Sequence, residues 1–147
     1  MEDQQIVYFS THNELSRVEL SDVMFFESDT NYTDVRFRGA HSISLLASLT
    51  NIYTLLSSME NSTFMRVGRK YIINMKYLRH INLQKSQLLL SDSATSCAYT
   101  LSVSQESLKK LKQVISDNQV TIIEDFKASN CNMIAFVENK VCTHKDK

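Results

Sequence analysis

The chain has 147 residues, with 16 Lys and Arg against 16 Asp and Glu, three Cys, two Gly and no Pro. That length suits one domain, or a domain of about 100 residues with an appendage. No apolar run approaches the roughly 18 residues that cross a membrane, and the polar, acidic residues 1–5 lack the basic flank and apolar core of a secretion signal; a cytoplasmic protein without a membrane partner is expected.

In chain order, residues 6–9 read as a short strand after a polar start. Residues 22–27 read as a strand buried on much of both faces, followed by a turn cluster at 28–31. From Thr33 to Arg38 the pattern alternates, with Thr33, Val35 and Phe37 on the buried face and Asp34, Arg36 and Arg38 on the solvent face. Gly39 and Ala40 turn the chain into a strand at 41–46, which completes an antiparallel meander. Ser48 then opens a helix whose Leu49, Ile52, Leu55, Leu56 and Met59 make one apolar stripe, ended by Asn61 and Ser62. Short strands at 64–67 and 71–74 flank a basic connection, Gly68-Arg69-Lys70, and residues 77–83 and 87–90 form a hairpin. A strand at 99–101 leads to Ser104, the N-cap of a helix to Ile115 with Leu108, Leu111 and Ile115 inward and Lys109, Lys110 and Lys112 outward. Beyond Asp117 and Asn118, residues 120–123 and 133–137 are strand-like and suit a separate hairpin.

Net charge is zero, but the charges are segregated. Glu2, Asp3, Glu14, Glu19, Asp22, Glu27, Asp29 and Asp34 precede Arg36, against Arg17 alone. No acid lies between Glu60 and Asp92, where Arg66, Arg69, Lys70, Lys76, Arg79 and Lys85 fall. A neutral protein can bind phosphate through one such local patch, although a basic cluster by itself is more often an ordinary solvated face. Enzymatic features are missing. Cys97, Cys131 and Cys142 show no C-x-x-C spacing. His12, His41, His80 and His144 fall in separate elements, Glu124 and Asp125 lie in a polar stretch, and no glycine-rich phosphate loop, G-x-S-x-G elbow or H-E-x-x-H helix is present. No catalytic residue, metal or cofactor is expected.

Taken in order, the segments at 23–28 and 31–33, the apolar helix, the block Phe64-Met65-Arg66-Val67-Gly68-Arg69-Lys70-Tyr71-Ile72-Ile73-Asn74, and Leu101-Ser102-Val103-Ser104 before a lysine-rich helix resemble a LytTR-type DNA-binding domain, over about residues 17–116. The resemblance implies a mainly β fold of small antiparallel sheets in an elongated arrangement with one or two short helices. It implies that loops, not a recognition helix, enter successive major grooves, commonly as two copies on paired repeats and with bending of the duplex. It places a base contact on Arg69, whose fork suits guanine O6 and N7. Lys70, on the same loop, suits phosphate as a point charge. A second contact region falls on residues 30–33, with Asn31 and Thr33 the candidates and Tyr32 a packing residue; Asn31 reads equally as a plain turn residue. The third opens the last helix, where the family often carries a basic residue and this chain has Ser104-Gln105-Glu106-Ser107. Gln105 can read adenine and the helix N-terminus can receive phosphate, whereas Glu106 would repel it. Arg66 reads equally as a DNA contact or as a loop brace paired with a carboxylate. Asn74 reads as a cap, Arg36 and Arg38 as solvent-exposed, and Arg79 and Lys85 as phosphate contacts.

The resulting expectation is a transcriptional regulator whose partner is double-stranded DNA, bound as a homodimer and controlled by abundance, by a regulatory protein or through its tail. Residues 1–16 read as an N-terminal extension and 117–147 as a C-terminal one, leaving no room for a receiver domain. Two alternatives stay open: a protein-interaction module on the same fold with DNA binding lost, and a small-ligand-binding β domain. An isolated hairpin does not hold together in water, so the tail strands should pair with the main sheet or a second subunit. Removal of residues 119–147 is expected to lower the melting temperature or the oligomeric mass; unchanged values for both would refute that pairing.

Overall fold

The computed structural model describes residues 5–118. The chain divides into two units, residues 1–112 and 113–147; of the second, the end of the last helix and Asn118 are described. The tail strands expected at 120–123 and 133–137 lie outside the described residues.

The described elements are β1 (Ile6–Ser10), β2 (Leu15–Glu19), β3 (Val23–Asp29), β4 (Tyr32–Phe37), β5 (His41–Leu45), α1 (Leu49–Ser57), β6 (Phe64–Val67), β7 (Tyr71–Asn74), β8 (Leu78–Asn82), β9 (Gln87–Asp92), β10 (Cys97–Ser102) and α2 (Gln105–Asp117). Single 3-10 turns at Leu20–Asp22 and Met75–Tyr77 precede β3 and β8. The strands make three antiparallel sheets, ordered β1-β2, β5-β4-β3-β7-β6 and β10-β9-β8. This is the mainly β class, small antiparallel sheets with two helices, that the sequence led us to expect. The first hairpin spans the boundary expected between residues 16 and 17.

β3 is the central strand of the five-stranded sheet and is buried on both faces. On one face Phe26, Val35, Ile72 and Phe64 join Leu49, Ile52 and Leu56 of α1 and Val18 of β2 in a single apolar cluster. Val7 and Phe9 of β1 pack against the same cluster. A register shift between Val23 and Phe25 lets Val23, three residues before Phe26, share this face; an unbulged strand would send it to the other side. On the opposite face Phe25 lies beside Ile73 and meets Tyr71 and Tyr99 edge-on, with ring centroids 5.9 and 5.0 Å away. Burial of each such ring or branched side chain stabilises the fold by roughly 1.5–3 kcal/mol.

α1 begins as expected, with Ser48 Oγ accepting from the Asn51 N–H at 3.1 Å, a cap worth about 1 kcal/mol. Its buried stripe is Leu49, Ile52 and Leu56. Leu55, expected in that stripe, is 39% exposed; it sits about a quarter-turn from the Ile52–Leu56 line. In α2, Leu108 and Leu111 are buried and Ile115 is half-buried.

Two polar ties hold the framework. Asn74, which ends β7 and is 1% exposed, donates to Val23 O at 2.9 Å and accepts from Thr63 Oγ1 and the Lys76 N–H. One side chain thus joins β3, the entry to β6 and the 3-10 turn after β7, and every polar atom on it that burial removes from water has a partner. The second tie corrects the expectation that Arg36 and Arg38 are merely solvent-exposed. Arg38 Nε donates to Asp92 Oδ2 at 3.0 Å, joining β9 to the five-stranded sheet, and Arg36 pairs with Glu27 and Asp34. Asp34 is two residues from Arg36 on β4 and Glu27 lies on the neighbouring strand β3, whereas Asp92, 54 residues from Arg38, cannot be read from local alternation.

Asp92 is held below the usual carboxylate range, first by the Thr95 hydroxyl donating to it at 2.6 Å and then by the Arg38 charge. Because its folded pKa is depressed, it stabilises the fold above the unfolded value of about 3.9, and that contribution is lost as pH falls through the folded value. Asp92→Asn is therefore expected to be less stable than the parent at neutral pH, with the gap closing in acid. Melting curves taken from neutral to strongly acidic pH check this; a gap independent of pH would contradict it.

Candidate nucleic-acid interface

Of the residues singled out for recognition, Asn31, Arg69 and Lys70 lie in two turns that the sheet register brings together, and Ser104 lies just before α2. β3 and β7 run antiparallel with Glu27 opposite Tyr71. The turn after β3 (Thr30 and Asn31) and the turn before β7 (Gly68, Arg69 and Lys70) therefore leave the sheet at the same end. The Ser28 N–H donates to Lys70 O at 2.8 Å and locks the second turn to the end of β3. That bond, with the Ser28–Thr33 and Asp29–Tyr32 pairs, explains why β3 runs on to Asp29 rather than giving way to a turn at 28. The start of α2 closes the group. A cleft of about 410 Å³ is lined by Gly68, Arg69, Lys70, Ser104, Glu106 and Ser107.

Gly68 sits in the left-handed region at φ +68°, and a Cβ built there would lie 3.4 Å from Ser107 Oγ. Glycine is thus favoured by the left-handed backbone, while the approach of α2 leaves a Cβ only ordinary contact with Ser107. Ser104 Oγ accepts from the Ser107 N–H at 3.2 Å, the N-cap expected of it, and lies 3.0 Å from Ser107 Oγ. Thr30 also adopts a left-handed conformation, φ 50°. For a β-branched residue this is strained, of the order of 1–3 kcal/mol, and it fixes the direction in which Asn31 leaves the turn.

Arg69 is exposed, and among the described residues its side chain has no ion pair or hydrogen bond. Lys70 is also exposed but is not independent: its Nζ lies 3.4 Å from Glu27 Oε2 and 5.8 Å from the Tyr71 ring centroid. With the lysine side chain 59% exposed, the pair is worth at most about 1 kcal/mol. It positions the ammonium rather than removing it from solvent. Glu27 also accepts from Arg36 at 3.5 Å, so one carboxylate serves two cations. Burial, followed by the nearby Glu27 charge, raises the Tyr71 phenol.

Several expected contacts are placed elsewhere. Thr33 is fully buried, and its hydroxyl donates to Ala47 O at 2.8 Å; it belongs to the sheet and presents nothing to a duplex. Tyr32, expected to pack, is 47% exposed. Arg66 braces the loop, but not through a carboxylate: its partners are Arg69 O and Thr50 Oγ1, each at 3.0 Å. Gln105 is exposed, yet its amide nitrogen donates to Leu83 O at 2.8 Å. That bond ties α2 to the β8–β9 turn and engages one of the two amide hydrogens, leaving the other and the amide oxygen without a protein partner among the described residues. Arg79 is exposed, with Nη1 3.3 Å from Lys76 O. Asn31 is an exposed turn residue. Sequence reasoning missed Glu27 and Thr50 as loop supports; both act across strand or helix pairings that no local pattern signals.

A larger cleft, of about 600 Å³, is lined by Gln5, Asp22, Arg38, Asn61, Asn74 and Lys76 among others. Two of its polar side chains, Arg38 and Asn74, are committed to Asp92 and Val23. No group of three or more His, Cys, Asp or Glu able to hold a metal occurs among the described residues, and none of the described helices is long and apolar enough to cross a membrane.

The family model described as the LytTr DNA-binding domain matches residues 4–116. Among solved structures, the chain is similar to the LytTr DNA-binding domain of a protein from Bacillus cereus described as a methyl-accepting/DNA response regulator, at 23% identity and a TM-score of 0.55, covering 78% of this chain and 98% of that one. Comparison with curated proteins returns no match.

Gly68→Ala is expected to destabilise the fold by about 1–2 kcal/mol through its left-handed φ, and Gly68→Asn by less, since asparagine tolerates that region. Urea unfolding of the three proteins checks the order. An alanine variant as stable as the parent would mean that the turn can relax.

Proposed function

Because this chain belongs to the LytTR DNA-binding domain family, we propose that it is a sequence-specific transcriptional regulator that reads the major groove through loops. In this reading Arg69 is the base reader. A guanidinium carried on a short turn between two strands is aimed by a rigid scaffold, and a bidentate contact to guanine contributes about 1–3 kcal/mol of discrimination. The observation that carries the reading is the convergence of two turns and the start of α2 at one end of the central sheet, around an arginine without a protein partner among the described residues.

Lys70 meets phosphate from the same turn, and exchanging Glu27 for a phosphate oxygen costs it little at so exposed a site. Asn31, on the adjoining turn, supplies an amide. Ser104 and the start of α2 approach the backbone, with Gln105 bracing that helix through one amide hydrogen while its oxygen and second hydrogen stay available to a base edge. Arg79 serves as a peripheral phosphate contact. Two copies on paired repeats complete the arrangement, and a regulatory protein is a further partner. Glu106, in the same cleft as Arg69 and Lys70, opposes phosphate and favours a second reading, a protein-interaction module that has lost DNA binding. The two differ in salt dependence, because each phosphate contact steepens the fall of log affinity with log salt.

Selection from a randomised duplex pool, run in parallel on the parent and Arg69→Ala, tests the proposal. The parent is expected to enrich a motif repeated at fixed spacing. The variant should lose about tenfold or more in discrimination at one position of each repeat. No enrichment by folded protein at low salt would overturn DNA reading and favour the interaction module.

A further inference from the structure

Arg66 and Thr50 link the reading turn to α1, an element that carries none of the proposed contacts. Arg66 lies in β6, opposite Ile72 of β7, and its side chain is half-buried. Its two terminal nitrogens serve two different targets. Nη2 donates to the carbonyl of Arg69 at 3.0 Å, and Nη1 donates to Thr50 Oγ1 at 3.0 Å. The first bond spans the turn from β6 to the peptide of Arg69 itself. The second fixes the far end of the guanidinium on the first turn of α1, which Leu49, Ile52 and Leu56 anchor in the core.

A planar guanidinium with both terminal nitrogens engaged has little rotational freedom left, so the backbone at Arg69 is referenced to the packed helix rather than to solvent. The other side of the turn is held by the Ser28 N–H on Lys70 O. The Arg69 peptide is thus clamped from both flanks, which a base reader requires if its fork is to arrive within a fraction of an ångström of the base edge.

We propose that Arg66 and Thr50 are positioning residues for base recognition: Arg66 acts through the backbone of Arg69 rather than on DNA, and Thr50 of α1 sets its orientation. The inference rests on the reading of Arg69 given above. It separates Arg66 from the phosphate contacts, because a residue that acts through another leaves the count of neutralised phosphates unchanged.

Four variants test it on the full chain, with the duplex motif enriched by the parent protein: Thr50→Val, Arg66→Lys, Arg69→Ala and Thr50→Val/Arg69→Ala. Discrimination at the position relaxed by Arg69→Ala, the slope of log affinity against log salt, and the melting temperature are read for each. Arg66→Lys keeps the charge but cannot reach both acceptors. Thr50→Val removes a hydroxyl from an exposed site and leaves the arginine in place. Both are expected to lose about threefold to tenfold in discrimination, the worth of one or two net hydrogen bonds, with an unchanged salt slope. The Thr50→Val effect should vanish in the Arg69→Ala background.

Discrimination preserved in both Thr50→Val and Arg66→Lys would overturn the proposal. So would a Thr50→Val effect that persists without the Arg69 side chain. A further variant, Arg66→Ala, that flattens the salt slope by about one unit while Arg66→Lys behaves as the parent would make Arg66 a phosphate contact instead. If Arg69→Ala itself changes nothing, the base-reading assignment falls first, and the positioning proposal falls with it.

Discussion

Burial of β3 on both faces is the constraint from which the rest of the structure follows. A central strand with Phe26 on one side and Phe25 on the other needs an apolar layer against each. α1 and the β1–β2 hairpin supply the first, and Tyr99 of the three-stranded sheet contributes to the second. Neither layer forms without the other strands of the sheet, because the partners of β3 come from β4, adjacent in sequence, and from β7, some 45 residues further along. Long-range pairing of this kind is specified by side-chain pattern: a slip of one residue would exchange the two faces and bury charge. The bulge near Met24 adjusts the pattern locally so that Val23 joins the correct side.

The same register decides where the turns lie. Once Glu27 stands opposite Tyr71, the two turns must leave the sheet together, and the Ser28–Lys70 bond couples them. The reading elements are thus extensions of packed strands, which is how a loop acquires the rigidity that base discrimination demands. The cost appears as backbone strain at Thr30 and as dependence on glycine at position 68, where α2 comes within van der Waals reach. Strain of this order persists only where surrounding structure over-determines the conformation.

Electrostatics explains how a chain of zero net charge belongs to a DNA-binding family. The acids concentrated before Arg36 are not simply kept away from the basic segment. Glu27 and Asp34 are built into the central sheet, where Glu27 pairs with Lys70 and Arg36, and Asp34 with Arg36. Asp92 does the same for Arg38 at the junction with the three-stranded sheet. Part of the opposing charge is therefore taken up by ion pairs within and between the sheets, while Arg69 has no ion-pair partner among the described residues. The field that matters to a polyanion is local, and net charge is a poor guide to it.

Much of the architecture was legible in the amino-acid sequence. Period-two alternation from Thr33 to Arg38, the Ser48 cap and the stripe at Leu49, Ile52 and Leu56 are local signals, because each records the burial of one face of one element. The ordered blocks, above all residues 64–74, pointed to the family, and the family model matches residues 4–116. Only the tertiary structure decided which side chains face outward and which act at a distance. Alternation alone put Thr33 on a buried face, yet the family pattern made it a contact; its bond to Ala47 O settles that it is a sheet residue. Leu55 looked like a core residue and is turned away; Arg36 and Arg38 looked free and are paired. For Leu55 the reason is its angle on its own helix, and for Thr33 and Arg38 it is contact with other elements. Periodicity reports how a residue sits on its own element, whereas hydrogen-bond partners such as Thr50 for Arg66 or Asn74 for Val23 depend on how distant elements meet, and only the folded chain contains that information.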